Sequence, residues 1–253
     1  MGEVCPPESF VQGLDVRGGE EPYSAWLSVC CAQSAAEYQA TIPFLHPNEL
    51  AFYEGLQFER RITSYLAGRY AAKRAVAASV QEERLDRIWI DRGILHQPLI
   101  VHPAALNLQV SISHCDELGA ALVFPEALPM GLDVEQIRPA RQAVLAAQMT
   151  ERERERIGAQ PGSEALLMTL YWSAKEALSK VLKTGLAVPF EFLEITGLEQ
   201  QGTAWVAAYS HFPQFRVAGW VVGERVFAIA YPKDCRLNLE AVQDLLCKVE
   251  EVI

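Results

Sequence analysis

The chain has 253 residues, half of them hydrophobic and 21% charged, a composition typical of a folded protein rather than of a disordered one. Its formal net charge of −10 disfavours general binding to nucleic-acid phosphates but leaves room for a local basic pocket. No apolar run approaches the roughly 18 residues that a membrane helix needs. Six scattered cysteines without metal-binding or disulfide-type spacing indicate free thiols, so we expect a cytoplasmic protein that binds neither nucleic acid nor membrane.

The first half of the chain is predicted to mix helices and strands. Its first twenty residues are rich in Gly, Pro and Glu and are expected to be irregular. A buried strand is predicted at 25–32, a helical segment opens at Pro47 and Asn48, and apolar residues at helical spacing predict a long helix at about 60–79. Alternating and apolar runs predict three further strands, at 88–91, 108–113 and 118–124.

Two prolines, Pro125 and Pro129, indicate a boundary near the middle of the chain. We therefore expect an N-terminal half, 1–127, and a C-terminal half, 128–253. In the second half the same patterns predict helices at 140–148, 151–157, 163–183 and 239–252, and strands at 131–135, 192–196, 205–209, 215–221 and 226–230.

The two halves share an order of elements, in which a helical segment and a long helix precede the strands. They also share a short sequence echo, because YAAKRA at 70–75 and WSAKEA at 172–177 fall in the long helix of each half. Shared order and shared sequence together favour a duplicated α+β unit.

Acidic side chains of the second half are predicted to converge. Asp133 and Glu135 are separated by one residue on a predicted strand, so their side chains leave on the same face. Trp172, Glu176 and Lys180 are spaced by four on a predicted helix and share a helical face. Either fragment alone is typical of a solvated surface. If strand and helix pack together, however, the clustered carboxylates favour a hard cation, and Mg²⁺ with a substrate pyrophosphate fits best.

These residues resemble the signature of the 4′-phosphopantetheinyl transferases. GLDVE at 131–135 and WSAKEALSK at 172–180 are similar to the family's G-[IV]-D-x-E strand and [FW]-[SC]-x-K-E-[AS]-x-x-K helix, at about the family spacing. VSISH at 110–114 is similar to the family's S-x-S-H segment, and 45–76 resembles the helical region of the two-domain, surfactin-type branch. The resemblance extends over roughly residues 25–232.

The resemblance implies that phosphopantetheine is moved from coenzyme A (CoA) to a serine of an apo acyl, aryl or peptidyl carrier protein, with release of 3′,5′-ADP. By family analogy, Asp133, Glu135 and Glu176 would hold Mg²⁺, or alternatively Mn²⁺, against the CoA pyrophosphate. Glu176 would also accept the serine proton. Lys180 would neutralise the leaving phosphate, and His114 would contact a CoA phosphate.

The cations that hold the CoA 3′-phosphate in many relatives are missing here. Glu49 and Phe52 stand where lysines are expected in the first helical segment, and Gln97 replaces the lysine of a G-K-P sequence. A solvated helix face is the competing interpretation for the candidate substitutes, because basic residues on a helix often only face water. The candidate substitutes are Arg61, Arg69 and Lys73.

The hydroxyl of Ser113 has two interpretations, a donor to a CoA phosphate or a buried group satisfied by the backbone. The resulting prediction is a monomeric α+β pseudodimer of two similar halves, with the active site in the cleft between them. The permissive surfactin-type branch suggests secondary metabolism with polyketide or nonribosomal-peptide carriers. Two alternatives stay open, namely a catalytically silent module that binds CoA or a carrier protein, and a metal-dependent phosphoesterase that attacks with water.

Overall fold

The computed structural model of the protein describes residues 5–19, 21–105 and 107–253. The helices are α1 (Ala35–Gln39), α2 (Pro47–Glu54), α3 (Glu59–Val80), α4 (Gln142–Ala146), α5 (Glu151–Ala159), α6 (Glu164–Leu182) and α7 (Leu239–Glu250). The strands are β1 (Glu8–Gly18), β2 (Glu21–Cys31), β3 (Trp89–Arg92), β4 (Pro98–Val101), β5 (Leu108–Cys115), β6 (Leu118–Pro125), β7 (Gly131–Gln136), β8 (Glu199–Gln201), β9 (Ala204–Ala208), β10 (Phe215–Val222), β11 (Arg225–Pro232) and β12 (Cys235–Leu237). The predicted α+β class is confirmed.

The first five-stranded sheet has the order β12-β1-β2-β6-β5, and its neighbouring strands are antiparallel. Strand β1 contradicts the expectation of an irregular start, because it pairs with β2 along its whole length. Leu14 and Val16 point into the core while Asp15 and Arg17 face solvent. This period-2 alternation was obscured in the sequence by the Gly and acidic residues around it.

The second five-stranded sheet has the order β7-β11-β10-β9-β8. The strand expected at 192–196 is wrong, because a short 3-10 helix occupies Phe190–Leu193 and Ile195 makes one isolated bridge to Tyr209. One core lies between the two sheets and is closed by α7, while α3 and α6 cover the outer faces of the first and second sheets. This layering places both long helices beside strands that carry polar residues. No helix in the described part of the chain is long and apolar enough to cross a membrane.

A common pattern of elements recurs in the two sheets. In the first, β2 leads to α3 and then to β5 and β6, and β6 pairs with both β2 and β5. In the second, β7 leads to α6 and then to β10 and β11, and β11 pairs with both β7 and β10. The C-terminal segment crosses between the two, because β12 pairs with β1 and α7 packs on β1 and β10.

Each half also contains a buried lysine–glutamate pair. In the first half, Lys73 of α3 lies 2.6 Å from Glu49 Oε2, and both side chains are fully buried. Glu49 is the third residue of α2, accepts the N–H of the residue that caps that helix, His46, and accepts the Ile90 N–H with its other oxygen. The pair therefore joins α2, α3 and β3 at one buried point.

The second half repeats this arrangement. Lys175 of α6 lies 2.7 Å from Glu153 Oε2, again with both side chains fully buried. Glu153 is the third residue of α5, accepts the N–H of the capping residue Thr150, and accepts the Ile195 N–H with its other oxygen. Lys73 and Lys175 are the aligned lysines of the sequence echo, so the repeated contacts support duplication independently of that alignment.

The two sheets meet where β5 lies beside β7. Ser111 Oγ accepts the Leu132 N–H at 2.9 Å, and Ser113 Oγ accepts the Val134 N–H at 3.1 Å. Two alternate serines of β5 thus accept hydrogen bonds from two alternate backbone N–H groups of β7. Their hydroxyl oxygens act as the acceptors that backbone carbonyl oxygens provide in a regular sheet. The junction between the halves therefore runs directly beside Asp133.

Candidate active site

The strand β7 and the helix α6 bring the predicted acidic residues together. Asp133 and Glu135 alternate on β7, and α6 packs directly on that strand. Gly131 permits this approach, because a Cβ atom there would collide with the Ala177 carbonyl oxygen of α6. The helix can therefore lie close enough to β7 for Glu176 to face the strand carboxylates.

Asp133 is buried and is bonded by three side-chain donors. Its Oδ1 accepts hydrogen bonds from Ser113 Oγ at 3.0 Å and from Lys180 Nζ at 2.9 Å, while its Oδ2 accepts one from Ser173 Oγ at 2.8 Å. Lys180 also donates to the Leu132 carbonyl oxygen at 2.8 Å. The Asp133 carboxylate is consequently fixed in position and paired with a cation.

Glu135 lies on the same face of β7 and is held from two sides. Its Oε1 accepts a hydrogen bond from Trp172 Nε1 at 2.9 Å, and its Oε2 forms an ion pair with Arg141 at 2.9 Å. Burial raises the pKa of Glu135, and the charge of Asp133 raises it further. Trp172, which was predicted to share a helical face with Glu176 and Lys180, therefore orients the Glu135 carboxylate with its indole N–H.

Glu176 differs from the other two acids. Its Oε1 is buried and has no hydrogen-bond partner among the described residues. Burial raises the pKa of Glu176 to about 7, with a further increase from Asp133 and a smaller one from Glu135, while Lys180 opposes the shift. An unpaired buried carboxylate oxygen is costly, and a cation or hydrogen-bond donor bound at Glu176 Oε1 would relieve that cost.

The three acids suit a hard cation by their chemistry but do not form a finished cage. Within residues 5–19, 21–105 and 107–253, no three His, Cys, Asp or Glu side chains stand close enough together to hold a metal ion as they are. The donors are nevertheless all carboxylate oxygens, and the Glu176 oxygen is unsatisfied. Asp133, Glu135 and Glu176 therefore fit Mg²⁺ or Mn²⁺ as a donor set.

Two adjoining cavities lie on the side of the first half, and one of them reaches Glu135. A cavity of about 390 Å³ and a second of about 470 Å³ share Arg60, Ser64 and His114 in their walls. The second cavity extends to Glu135. The first, called here the arginine groove, is lined by four arginines: Arg60, Arg61, Arg69 and Arg92.

His114 lies at the junction of the two cavities. Its ring is solvent-accessible, but the surrounding protein still desolvates it, which lowers its pKa, and the charge of Lys180 lowers it further. A neutral imidazole carries one N–H donor and one acceptor nitrogen, so His114 can donate one hydrogen bond to an anion in the groove.

Two of the residues predicted to bind CoA are placed elsewhere. Lys73 is buried in its pair with Glu49 and also donates to the Leu85 and Ile88 carbonyl oxygens, so it cannot reach a ligand phosphate. Ser113 is buried against β7, and its hydroxyl oxygen accepts a backbone N–H. Of its two interpretations, the buried group satisfied by the backbone is therefore the one observed. Both predictions of CoA contact are corrected by this burial, because each polar group already has its partners inside the protein.

Arg61 and Arg69 do line the arginine groove, as the prediction requires. Arg69 stacks over the Tyr65 ring, with 4.8 Å between guanidinium carbon and ring centroid, and lies 3.7 Å from Glu49. Arg92 stacks at the same distance over Phe52. These contacts hold the two guanidinium groups at the groove wall.

Three residues stand where lysines were expected from the family resemblance, and each makes a different contact in the structure. Glu49 is buried by its lysine pair and never faces the groove, whereas Phe52 supplies a ring beneath Arg92. Gln97 folds into the β3–β4 turn and accepts the Leu95 N–H at 3.0 Å. Sequence analysis missed Arg60 and Arg92, which also line the groove. No motif or periodic pattern in the sequence marks either residue.

A further cavity of about 240 Å³ has Lys180 in its wall. Its walls are mainly apolar and include Ile112, Met130 and Val181. Lys180 therefore stands between this cavity and the Asp133 carboxylate, so a group bound there would lie next to the acidic residues.

A comparison with protein-family models agrees with the family resemblance in the second half. Residues 129–230 match the family model described as the 4'-phosphopantetheinyl transferase superfamily. Among solved structures, the chain is similar to a holo-(acyl-carrier-protein) synthase from Bacillus anthracis str. Ames, solved in complex with CoA (3',5'-ADP). That similarity has 21% sequence identity and a TM-score of 0.34, and covers 46% of this chain and 96% of that one. The search of curated proteins found no match.

Proposed function

We propose that this protein transfers the 4′-phosphopantetheine moiety of CoA to a serine of an apo carrier protein and releases 3′,5′-ADP. The observation that carries the proposal is that Asp133, paired with Lys180, lies on the strand that packs against the helix of the unpartnered Glu176, within the segment 129–230 that matches the transferase family model. The arginine groove beside them suits the phosphates of CoA.

A divalent cation, Mg²⁺ or Mn²⁺, is proposed to bind Asp133, Glu135 and Glu176. When bound, it would polarise the CoA pyrophosphate and offset the charge that develops on its oxygens. The orphaned Glu176 oxygen and the all-carboxylate donor set support this assignment.

The protein's own groups position the reaction. The serine hydroxyl of the carrier forms a bond to the phosphorus that bears pantetheine, the bond from that phosphorus to the ADP oxygen breaks, and Glu176 takes the serine proton. Lys180, paired with Asp133, is placed to support negative charge on the leaving phosphate. Arg61, Arg69 and His114 hold the nucleotide end of CoA.

The two-domain, surfactin-type arrangement is also proposed. Its support comes from the first half, where the buried Lys73–Glu49 pair repeats the Lys175–Glu153 pair of the second. Since one chain then supplies both sides of the cleft, we expect a monomer.

The test is to incubate the protein with CoA, Mg²⁺ and an apo carrier protein and to weigh the carrier by mass spectrometry. The proposal requires a mass gain of one phosphopantetheine group, the loss of that gain in EDTA, and 3′,5′-ADP as coproduct. An unchanged carrier with bound CoA would indicate a silent binding module. Loss of phosphopantetheine from a holo carrier would indicate the phosphoesterase instead. Acyl, polyketide and nonribosomal-peptide carriers tested in parallel would show which partner is served.

A further inference from the structure

The Asp133 carboxylate is bonded by hydroxyls from both halves of the molecule. Ser113 reaches it from β5 at 3.0 Å, and Ser173 reaches it from α6 at 2.8 Å. The two serines bond different oxygens of the carboxylate. Such a pair of donors fixes the plane of the carboxylate as well as its position.

The orientation of the Ser113 hydroxyl is determined by a second contact. Its oxygen accepts the Val134 N–H at 3.1 Å, so its single proton is left to point at Asp133. Ser113 is thereby attached to the backbone of the strand that carries Asp133. Its position follows β7 and does not depend on any ligand.

Ser173 lies on the same side of α6 as the other acidic-site residues. It is three residues before Glu176, which places the two side chains on one helical face, and it is fully buried. Its hydroxyl adds a donor to Asp133 without adding charge. The helix thus delivers a neutral donor from Ser173 and a charged one from Lys180 to the same carboxylate.

We infer that Ser113 and Ser173 are positioning residues that hold the Asp133 carboxylate in the orientation that a divalent cation needs. This inference rests on the proposed function, since it concerns the cation proposed there. Hydrogen-bonded partners of metal ligands commonly contribute 10–100-fold to metal affinity, because they remove the freedom of the ligand to rotate. It also assigns Ser113 a role toward Asp133 instead of toward a CoA phosphate.

The test measures Mn²⁺ affinity by electron paramagnetic resonance of free Mn²⁺, with the folded protein saturated with CoA. Ser113→Ala and Ser173→Ala are each expected to weaken Mn²⁺ binding about 10-fold. Adding either change to an Asp133→Asn protein is expected to cause no further loss. CoA affinity measured in EDTA is expected to stay at the wild-type value in both serine variants.

The matched control is Thr169→Val on the same helix. Thr169 is equally buried, but its hydroxyl donates to the Ala165 carbonyl oxygen and does not contact Asp133. Unchanged Mn²⁺ affinity in both serine variants, or an equal loss in Thr169→Val, would overturn the inference. Weaker CoA binding in EDTA by Ser113→Ala would restore Ser113 to a phosphate contact.

A second substitution at Ser173 keeps the inference testable if Ser173→Ala does not fold. Ser173→Cys keeps the shape of the side chain and replaces a strong donor by a weak one, so Mn²⁺ affinity between those of the wild type and Ser173→Ala is expected. Wild-type affinity in a folded Ser173→Cys protein would contradict the inference. Carrier-mass measurements separate the two proposals, because wild-type protein that binds Mn²⁺ but transfers nothing refutes the proposed function alone.

Discussion

The long helices α3 and α6 share a buried lysine but differ in the residues that follow it. Each is fixed by a buried lysine that pairs with the third residue of a preceding short helix. When Lys73 and Lys175 are aligned, Arg74 and Ala78 occupy the positions of Glu176 and Lys180. The two halves thus share the buried pair but divide their roles at the next residue, which is an acid of the proposed site in the second half and an arginine outside the arginine groove in the first.

The largest expected effect comes from replacing Glu176, the charged residue that follows the buried Lys175. We expect Glu176→Gln to lower the rate of carrier modification by about 10³-fold, because it removes an anionic ligand and the proton acceptor together. The corresponding Arg74→Gln in the first half is expected to retain the wild-type rate. Circular dichroism checks that both proteins fold, and equal rates in the two variants would refute the division of roles.

The next effect tests whether the two buried pairs are equivalent. Lys73→Met and Lys175→Met should each lower the free energy of unfolding by about 3–5 kcal/mol, because each leaves a buried glutamate uncompensated. Urea denaturation measures both. A loss in Lys175→Met without one in Lys73→Met would show that the first half does not depend on its pair.

A smaller effect distinguishes the groove of the first half. Arg69→Ala is expected to raise the KM for CoA about 10-fold, since a charge-assisted contact to phosphate contributes roughly 1.5–3 kcal/mol. The increase should shrink when 3′-dephospho-CoA is the donor substrate. Arg87→Ala, which removes an exposed arginine outside the arginine groove, is the control. Equal increases for both donor substrates would exclude Arg69 as a 3′-phosphate contact.

The smallest effect concerns the helix cap of the second half. Thr150 accepts the Glu153 N–H at 3.2 Å, so Thr150→Ala should cost about 1 kcal/mol of unfolding free energy. The transfer rate should stay unchanged, because Glu153 and Lys175 keep their contact. Thermal and urea unfolding measure the cost, and a loss as large as that of Lys175→Met would mean that the cap and the buried pair act as one unit.

Local periodicity was sufficient to predict which two elements, β7 and α6, carry the acidic residues on facing surfaces. A period of two on β7 and a spacing of four on α6 placed Asp133, Glu135 and Glu176 on facing surfaces, and these elements do pack together. The long helix expected at 60–79 is observed as α3, with an added residue at each end. These features depend on neighbours in sequence, which a pattern can record.

Features that depend on distant partners could not be predicted in this way. Lys73 has the sequence context of a solvated helix, and only its contact with Glu49 shows that it is buried. Ser113 had two equal interpretations until Val134 and Asp133 were placed beside it. Likewise, the arginine groove collects residues from α3 and β3, which no single periodic segment contains.

The most direct measurement is a crystal structure of the protein with Mn²⁺ and CoA, in which anomalous scattering locates the metal. We expect one Mn²⁺ bonded to carboxylate oxygens of Asp133, Glu135 and Glu176 and to the CoA pyrophosphate, with the nucleotide phosphates beside the arginine groove. A metal bound away from these three carboxylates, or CoA bound outside the groove, would contradict this expectation.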